Sequence, residues 1–212
     1  MSADPGELLD VYDEWGTHLG VEGRDVVHRD GLWHHGFHLW VVAGDEVLLQ
    51  RRSARKLTHP GLLDATAAGH IGAGEDVLAG GMREVGEELG VAYPESELVP
   101  LGVRAMSDRV GPGNRLVNRE FQHVYVVADA RPLEAWTALD REELDGLVAL
   151  ALADFTALTH RLAAGPWRAR AWDGARVSAV ELDAAEVLGA DALRPLAIML
   201  ERFARGERPL AI

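Results

Sequence analysis

Short apolar runs separated by polar, Gly-containing turns predict most of the secondary structure of this chain. These runs predict strands at 7–12, Phe37–Ala43, Val47–Gln50, Leu62–Gly69, Leu98–Ala105, Phe121–Ala128 and Leu147–Leu152. Gly44 and Asp45 are typical of the turn of a hairpin between the second and third strands. Longer periodic segments predict helices at about 76–89, 153–164 and 190–205. Strands on both sides of a helix, with further helix at the end, indicate a mixed α/β or α+β sandwich.

The least regular stretch is 165–188, where Trp167 and Trp172 are predicted packing anchors. With 212 residues and 48% hydrophobic content, the chain can bury one sizeable core. We therefore predict one domain over 1–212. Its core covers about 30–165, with an N-terminal strand extension over 1–29 and a C-terminal helical extension over 166–212.

Composition excludes several classes of function. The chain has no cysteine, which excludes disulfides, thiolate metal sites and a cysteine nucleophile and is consistent with a reducing cytosol. The acidic N-terminus lacks the basic and apolar regions of a secretory signal, and no run of 18 apolar residues indicates a membrane span. A net charge of -13 disfavours binding to a nucleic acid polymer. We expect a cytoplasmic protein with a small-molecule partner, and a homodimer is left open.

An acidic helix carries the strongest chemical signal. Glu84, Glu87 and Glu88 are spaced i, i+3 and i+4, so a helix places their carboxylates on one face. The interior of this helix also contains Gly80, Gly81 and Gly86, each of which costs about 1 kcal/mol relative to alanine. A sequence that accepts both like-charge repulsion and helix-weakening glycines indicates a functional segment. Clustered carboxylate oxygens predict a site for Mg²⁺ or Mn²⁺.

The full segment resembles the signature of the Nudix hydrolases. Its spacing is G-x5-E-x7-R-E-U-x-E-E-x-G-U, with U aliphatic, and it comprises Gly69, Glu75, Arg83, Glu84, Val85, Glu87, Glu88, Gly90 and Val91. The resemblance implies an α/β/α sandwich with a mixed sheet and a strand-loop-helix that binds divalent metal. By position, Glu84, Glu87 and Glu88 would be metal ligands together with the Gly69 carbonyl. Glu75 and Arg83 would form an ion pair that orients the loop and helix.

A second resemblance connects about 7–152 with isopentenyl-diphosphate isomerases and with uncharacterised bacterial Nudix proteins. By position, three histidines match isomerase metal ligands, two cations match its diphosphate contacts and one glutamate matches its acidic catalytic residue: His28, His35, His70, Arg52, Lys56 and Glu120. Ala68 replaces the isomerase's catalytic cysteine, Glu84 replaces an arginine, and Asn118 replaces a metal-binding glutamate. Because Ala68 can neither donate nor accept a proton, hydrolysis is favoured over isomerisation.

Several roles stay open from the sequence alone. The basic loop that includes Arg51, Arg52 and Lys56 is either an exposed charged turn or a diphosphate clamp. Glu120 and Glu143 are both predicted general bases, and the sequence does not choose between them. Whether the matched histidines bind metal is also open. We predict a metal-dependent hydrolase of a nucleoside diphosphate derivative or related diphosphate. The alternatives are an isomerase-like enzyme and a non-catalytic nucleotide sensor.

Overall fold

The computed structural model describes residues 6–212 of the chain. The first five positions of the predicted N-terminal extension, on which part of the secretory-signal prediction depends, lie outside the described residues. None of the helices within 6–212 combines the length and the apolar character needed to cross a membrane.

Eleven strands and four α-helices make up the described fold. The strands are β1 (Leu8–Tyr12), β2 (His18–Gly23), β3 (Trp33–Ala43), β4 (Glu46–Arg52), β5 (Leu63–Asp64), β6 (Ala67–His70), β7 (Val99–Val110), β8 (Leu116–Ala128), β9 (Leu144–Ala151), β10 (Trp167–Trp172) and β11 (Val177–Leu182). The helices are α1 (Arg24–Asp30), α2 (Val77–Leu89), α3 (Leu152–Thr159) and α4 (Arg194–Ala204).

All eleven strands belong to one mixed sheet, whose main path runs β11-β10-β9-β4-β3-β1-β2. Strand β8 pairs in parallel with β3, while β7 pairs antiparallel with β8. Strand β6 pairs with β3 and β5 with β4. The central strand β3 therefore joins the segments that carry the predicted site, although they are far apart in the sequence.

Helices cover both faces of this sheet. On one face, Val85 of α2 packs with Phe37 of β3 in one buried cluster. On the other face, Leu200 of α4 packs with Trp40 of β3 in a second cluster that also includes α3. Alternating side chains of β3 thus enter opposite cores, as the period of a strand requires. The predicted α/β/α sandwich with a mixed sheet is confirmed.

One predicted strand is divided. The segment 62–69 was predicted to be continuous, but β5 pairs with β4 and β6 pairs with β3. Thr66 lies between them, where its hydroxyl accepts the backbone N–H of Val41 (2.9 Å) and donates to the carbonyl of Leu48 (2.5 Å). The chain changes pairing partner at Thr66 because its side chain bonds to both neighbouring strands. Local composition does not reveal such a change.

The two extensions differ from prediction. The described N-terminal part contains α1 as well as strands. The C-terminal stretch was predicted to be helical, yet β10 and β11 form an antiparallel hairpin before α4. Trp167 and Trp172, 8% and 7% exposed, are buried at the two ends of β10, which confirms their role as packing anchors. Exposed positions alternate with buried ones along β10, a pattern that the sequence carried only weakly.

Candidate active site

Helix α2 brings two of its glutamates against the backbone of β6. Asp76 caps the helix by accepting the N–H groups of Leu78 (3.0 Å) and Ala79 (3.1 Å), and Gly90 ends it in the left-handed conformation. These local signals position the acidic segment of the helix. The predicted helix is therefore confirmed almost residue for residue.

The carboxylates on α2 are not equivalent. Glu88 is 5% exposed, and its Oε2 accepts the backbone N–H of Ala68 at 3.1 Å. Glu84 lies so close to Gly69 that a Cβ there would overlap the Glu84 carboxyl group. By contrast, the Glu87 side chain is 60% exposed. The structure thus brings Glu84, Glu88 and Gly69 together and leaves Glu87 at the outer edge, although spacing predicted three equivalent ligands.

Burial changes the acidity of the inner pair. It raises the pKa of Glu88 to about 8, and the neighbouring Glu84 adds to that increase. Burial also raises the pKa of Glu84, although its ion pair with Arg83 opposes the shift. The buried Glu88 and the partly buried Glu84, both held against β6, form a set of hard oxygen donors. A divalent cation would remove the cost of ionising them, so this donor set fits Mg²⁺ or Mn²⁺.

The predicted Glu75–Arg83 ion pair is present. Arg83 Nε and Nη2 each lie 3.1 Å from a different Glu75 oxygen, which is the bidentate geometry of a strong pair. Glu75 also accepts the N–H of Gly72 at 3.0 Å, so one carboxylate connects the loop to the helix. Arg83 Nη1 also donates to Glu84 Oε1 at 2.7 Å. This arrangement holds the loop before α2 in register with the face of the helix that carries the glutamates.

Packing explains two of the helix glycines. A Cβ at Gly80 would lie 2.6 Å from Glu75 Oε2, and one at Gly81 would overlap the ring of Phe37. Both positions therefore allow α2 to approach the loop and the sheet closely. The sequence indicated a functional reason for these glycines, and the structure shows that close packing is the immediate reason.

Three histidines meet beside this site, and they are not the predicted three. One ligand atom each of His28, His34 and His70 lie within 4.8 Å of one another. His35, which was predicted in place of His34, lies on the opposite face of β3, where its Nδ1 is 2.6 Å from Nε2 of His123. Neighbouring residues of a strand face opposite sides of the sheet, so only one of the two can join the cluster. Position matching to the isomerases could not resolve this one-residue difference.

The histidine cluster has the properties of a metal site. Burial lowers the pKa of His28 and His70 and lowers that of His34 to about 4, so all three are neutral, the form that binds metal. Nδ1 of His28 and of His34 face backbone carbonyls, and Nδ1 of His70 lies 3.7 Å from Glu7. The buried Nε2 of His34 has no hydrogen-bond partner within the described chain. Such an orphaned nitrogen fits a bound cation.

Glu120 lies next to this cluster on β8. It is opposite His34 in the parallel β3–β8 register, and a Cβ at Gly36 would overlap its carboxylate. Gln122 Nε2 donates to Glu120 at 2.9 Å, and His38 Nε2 lies 3.8 Å away. Although burial acts to raise the pKa of Glu120, its contact with His38 and the charge that His34 and His70 acquire at low pH hold it well below its usual range. A carboxylate that stays ionised so readily is a better metal ligand than a general base.

Lys56 approaches the glutamates of α2 from the loop after β4. It forms an ion pair with Glu143, and both side chains are mostly buried, at 21% and 16% exposure. Burial and the nearby Arg52 lower the pKa of Lys56 to about 8, while Glu88 and Glu84 act in the opposite direction. Two residues predicted separately, as a diphosphate contact and as a general base, are therefore direct neighbours.

The other predicted cations divide between the two faces of β4. Arg52 donates to the carbonyl and hydroxyl of Thr58 and lies 3.4 Å from Asp64, on the side of Lys56. Arg51 lies 3.3 Å from Glu186 and donates to the carbonyl of Gly61 at 3.1 Å. Arg52 is placed for the candidate site, whereas Arg51 connects β4 to the C-terminal part of the chain. The predicted role of Arg51 in substrate binding has no support from its contacts.

The sequence profile of the NUDIX domain matches residues 33–172. This chain belongs to the Nudix family. The match contains the whole strand-loop-helix and most of the sheet, so the predicted family is confirmed. Strand β11 and helix α4, both beyond residue 172, lie outside the matched segment.

Relatives of this Nudix chain include hydrolases and isomerases. An uncharacterised Nudix hydrolase from Clostridium acetobutylicum is 36% identical over 146 residues, which cover 67% of this chain and 68% of that protein. Nudix hydrolase 3 of Arabidopsis thaliana is 38% identical over 146 residues, covering 66% of this chain but 19% of that protein. An isopentenyl-diphosphate Delta-isomerase of Streptomyces avermitilis is 32% identical over 182 residues, covering 82% of this chain and 86% of the isomerase.

Solved structures agree on the fold. A crystal structure of a Deinococcus radiodurans protein superimposes with a TM-score of 0.56 at 20% identity, covering 73% of this chain and 90% of that one. At this identity the likeness establishes the architecture alone.

Proposed function

We propose that this Nudix chain is a metal-dependent hydrolase that cleaves the diphosphate linkage of a nucleoside diphosphate derivative or a related small molecule. The observation that carries the proposal is the pair of carboxylates on α2, Glu84 and Glu88, held against Gly69 and Ala68 of β6, with Lys56 close enough to interact electrostatically with both. Glu84 and Glu88 are anionic ligands that can bind a metal cation, and the nearby Lys56 is a cation that can bind an anionic substrate. A diphosphate bound to divalent metal satisfies both.

The proposed roles follow from position. Glu84, Glu88 and the Gly69 carbonyl hold Mg²⁺ or Mn²⁺, and Glu87 completes the set from the exposed edge. When bound, the metal polarises a phosphoryl oxygen and lowers the pKa of water. Lys56 neutralises diphosphate charge directly, as a compact cation facing the metal ligands. Arg52 provides a second cation on the same side of β4.

Hydrolysis also needs a base for the attacking water. Water adds to phosphorus, the bond from phosphorus to the leaving oxygen breaks, and the proton of the water passes to a carboxylate. We assign this role to Glu143, because a diphosphate that binds Lys56 would compete for the cation and free the Glu143 carboxylate. Glu120 is the weaker choice because its neighbours hold its pKa low. We assign Glu120 to a second metal position with His28, His34 and His70, whose mixed nitrogen and oxygen donors suit Mn²⁺ or Zn²⁺.

A panel of diphosphate substrates tests the proposal. Activity should be lost on chelation and return with Mg²⁺ or Mn²⁺, and Glu88→Gln should remove at least about two orders of magnitude of rate. For the base, Glu143→Gln should lower the rate without weakening metal binding. The matched control is Glu142→Gln, since Glu142 is the adjacent glutamate and pairs with Arg55 at the surface. Activity that survives chelation, or equal losses in both variants, would contradict these assignments.

The isomerase-like alternative has one specific observation in its favour. The histidine cluster with Glu120 forms at the positions that suggested the isomerases, with His34 in place of His35. Against it, Ala68 presents only a methyl group to this site, so an acid and a base on opposite faces of a double bond are lacking. Asn118 contacts Glu120 only through its amide, at 3.5 Å. A nucleotide sensor without activity is the third alternative, and the intact glutamate set argues against it.

A further inference from the structure

Arg104 on β7 is a half-buried cation without a counter-charge. Several arginines of 6–212 have no carboxylate oxygen within 4.0 Å, and all of these except Arg104 are exposed: Arg109, Arg115, Arg119, Arg141, Arg168 and Arg208. Burial lowers the pKa of Arg104, although Asp64 and Glu120 act at longer range in the opposite direction. Taking a guanidinium partly out of water is costly unless an anion compensates for it. The described residues supply no such anion in contact.

The guanidinium is held in place by neutral acceptors. Its Nε (3.0 Å) and Nη2 (2.6 Å) both donate to Oε1 of Gln122, and its Nη1 donates to the carbonyl of Ala192 (3.2 Å). A guanidinium has five N–H donors, so two remain available after these contacts. Gln122 in turn donates to Glu120, so Arg104 is linked through Gln122 to Glu120. Arg104 is thus oriented, charged and incompletely satisfied.

The sheet register places Arg104 on the same face as His70 and Glu120. Arg104 pairs with Gln122, Gln122 with Gly36, and Gly36 with His70. This row crosses three strand spacings, roughly 14 Å at about 4.8 Å each. Gly36 has no side chain, and the Glu120 carboxylate lies over it, between the histidine cluster and Arg104. That separation is longer than a diphosphate group, so a diphosphate held beside β6 would leave Arg104 to a more distant part of the same substrate.

We propose that Arg104 recognises a second anionic group, a phosphate or carboxylate, on the organic portion of the diphosphate substrate. This inference rests on the proposed hydrolase function and narrows its substrate class. An anion there would accept the two remaining N–H groups and supply the missing counter-charge. An apolar or uncharged group would leave the cation uncompensated. The residue therefore selects for substrates that are negatively charged at both ends.

Two matched pairs of substrates test this selection. NADPH and NADH differ by one phosphate, and UDP-glucuronate and UDP-glucose differ by one carboxylate. The wild type should prefer the charged member of at least one pair by about tenfold in kcat/KM, chiefly through KM. Arg104→Gln should abolish that preference, because kcat/KM for the charged member falls by more than kcat/KM for the uncharged member. Arg104→Lys, which keeps charge without the planar fork, should retain part of it.

Arg109→Gln is the matched control, because Arg109 lies on the same strand, exposed and also without a carboxylate partner. Equal use of both members of each pair by the wild type would overturn the proposal. So would an equal loss on charged and uncharged members in Arg104→Gln, which would show only that Arg104 anchors Gln122 and Ala192. The dissociation constants of all four ligands, measured with Ca²⁺ in place of Mg²⁺, compare charged with uncharged ligands without hydrolysis. Absence of hydrolysis would then refute the proposed function alone, and absence of any charge preference in binding would refute the role of Arg104.

Discussion

Replacing Glu88 with glutamine should inactivate the enzyme and yet stabilise the metal-free protein. Glu88 is 5% exposed, and its pKa is raised from 4.5 to about 8 by burial. An unfolded chain ionises this group freely at pH 7, whereas the folded chain keeps it almost entirely protonated. At pH 7, ionisation of Glu88 therefore stabilises the unfolded state relative to the native state by about 3 kcal/mol. Glutamine has the same shape, cannot ionise, and can still accept the N–H of Ala68.

The sign of the pH dependence follows from the raised pKa. The contribution of Glu88 to stability is fully present below pH 4.5 and is lost as pH rises toward 8. Without metal, the free energy of unfolding of Glu88→Gln should be higher than that of the wild type by about 1 kcal/mol at pH 5 and about 3 kcal/mol at pH 7. For a chain of this length, the latter is roughly 6–12 °C in Tm. Added Mg²⁺ should reverse the order, because it stabilises only the wild type appreciably.

Thermal and urea unfolding with a chelator or with Mg²⁺, at several pH values, measures these differences. Glu87→Gln is the matched control, since Glu87 belongs to the same acidic set but is 60% exposed. It should change metal-free stability by less than about 0.5 kcal/mol. If Glu88→Gln proved less stable than the wild type without metal at pH 7, the buried, protonated state argued for Glu88 would be refuted.

Three further predictions address neighbouring groups. KM for a diphosphate substrate should rise above pH 8 as Lys56 loses its proton, and Lys56→Arg should remove that rise, which a KM profile over pH 6–10 would measure. His34→Ala should weaken Mn²⁺ or Zn²⁺ binding by at least about tenfold in titration calorimetry, whereas His35→Ala should not, and the reverse result would restore the predicted set. The wild type incubated with isopentenyl diphosphate and Mg²⁺ should form no dimethylallyl diphosphate, because Ala68 provides no proton-transferring group; robust isomerisation would establish the rival function.

The acidic helix was predictable because its information is local. Spacing of i, i+3 and i+4, a capping Asp76 and a terminal Gly90 specify both the helix and the shared face of its glutamates. Even here, the spacing could not show that Glu88 is buried while Glu87 is exposed. That distinction depends on where β6 passes the helix, and the register of β6 against β3 is a long-range property.

The histidines show the same limit more sharply. Four of them occur close together in the sequence, and matching by position selected His35. A strand turns neighbouring side chains to opposite faces, so a one-residue difference moves the chosen ring away from the cluster. Pairing of β3 with β6 and β8 then selects His34, which joins His70 and lies opposite Glu120. Knowledge of the register would have identified His34 directly.

The sequence by itself determined the family and the glutamate helix, because a rigid local spacing encodes them, and the resemblance to the family implied the α/β/α class. Tertiary structure alone decided which side chains share the site. It paired Lys56 with Glu143, brought His34 instead of His35 into the histidine cluster, and joined Arg51 to Glu186. It also left Arg104 without a carboxylate partner among the described residues. These contacts join segments separated by tens of residues. Their geometry follows from strand pairing and burial, which no single segment of the chain specifies.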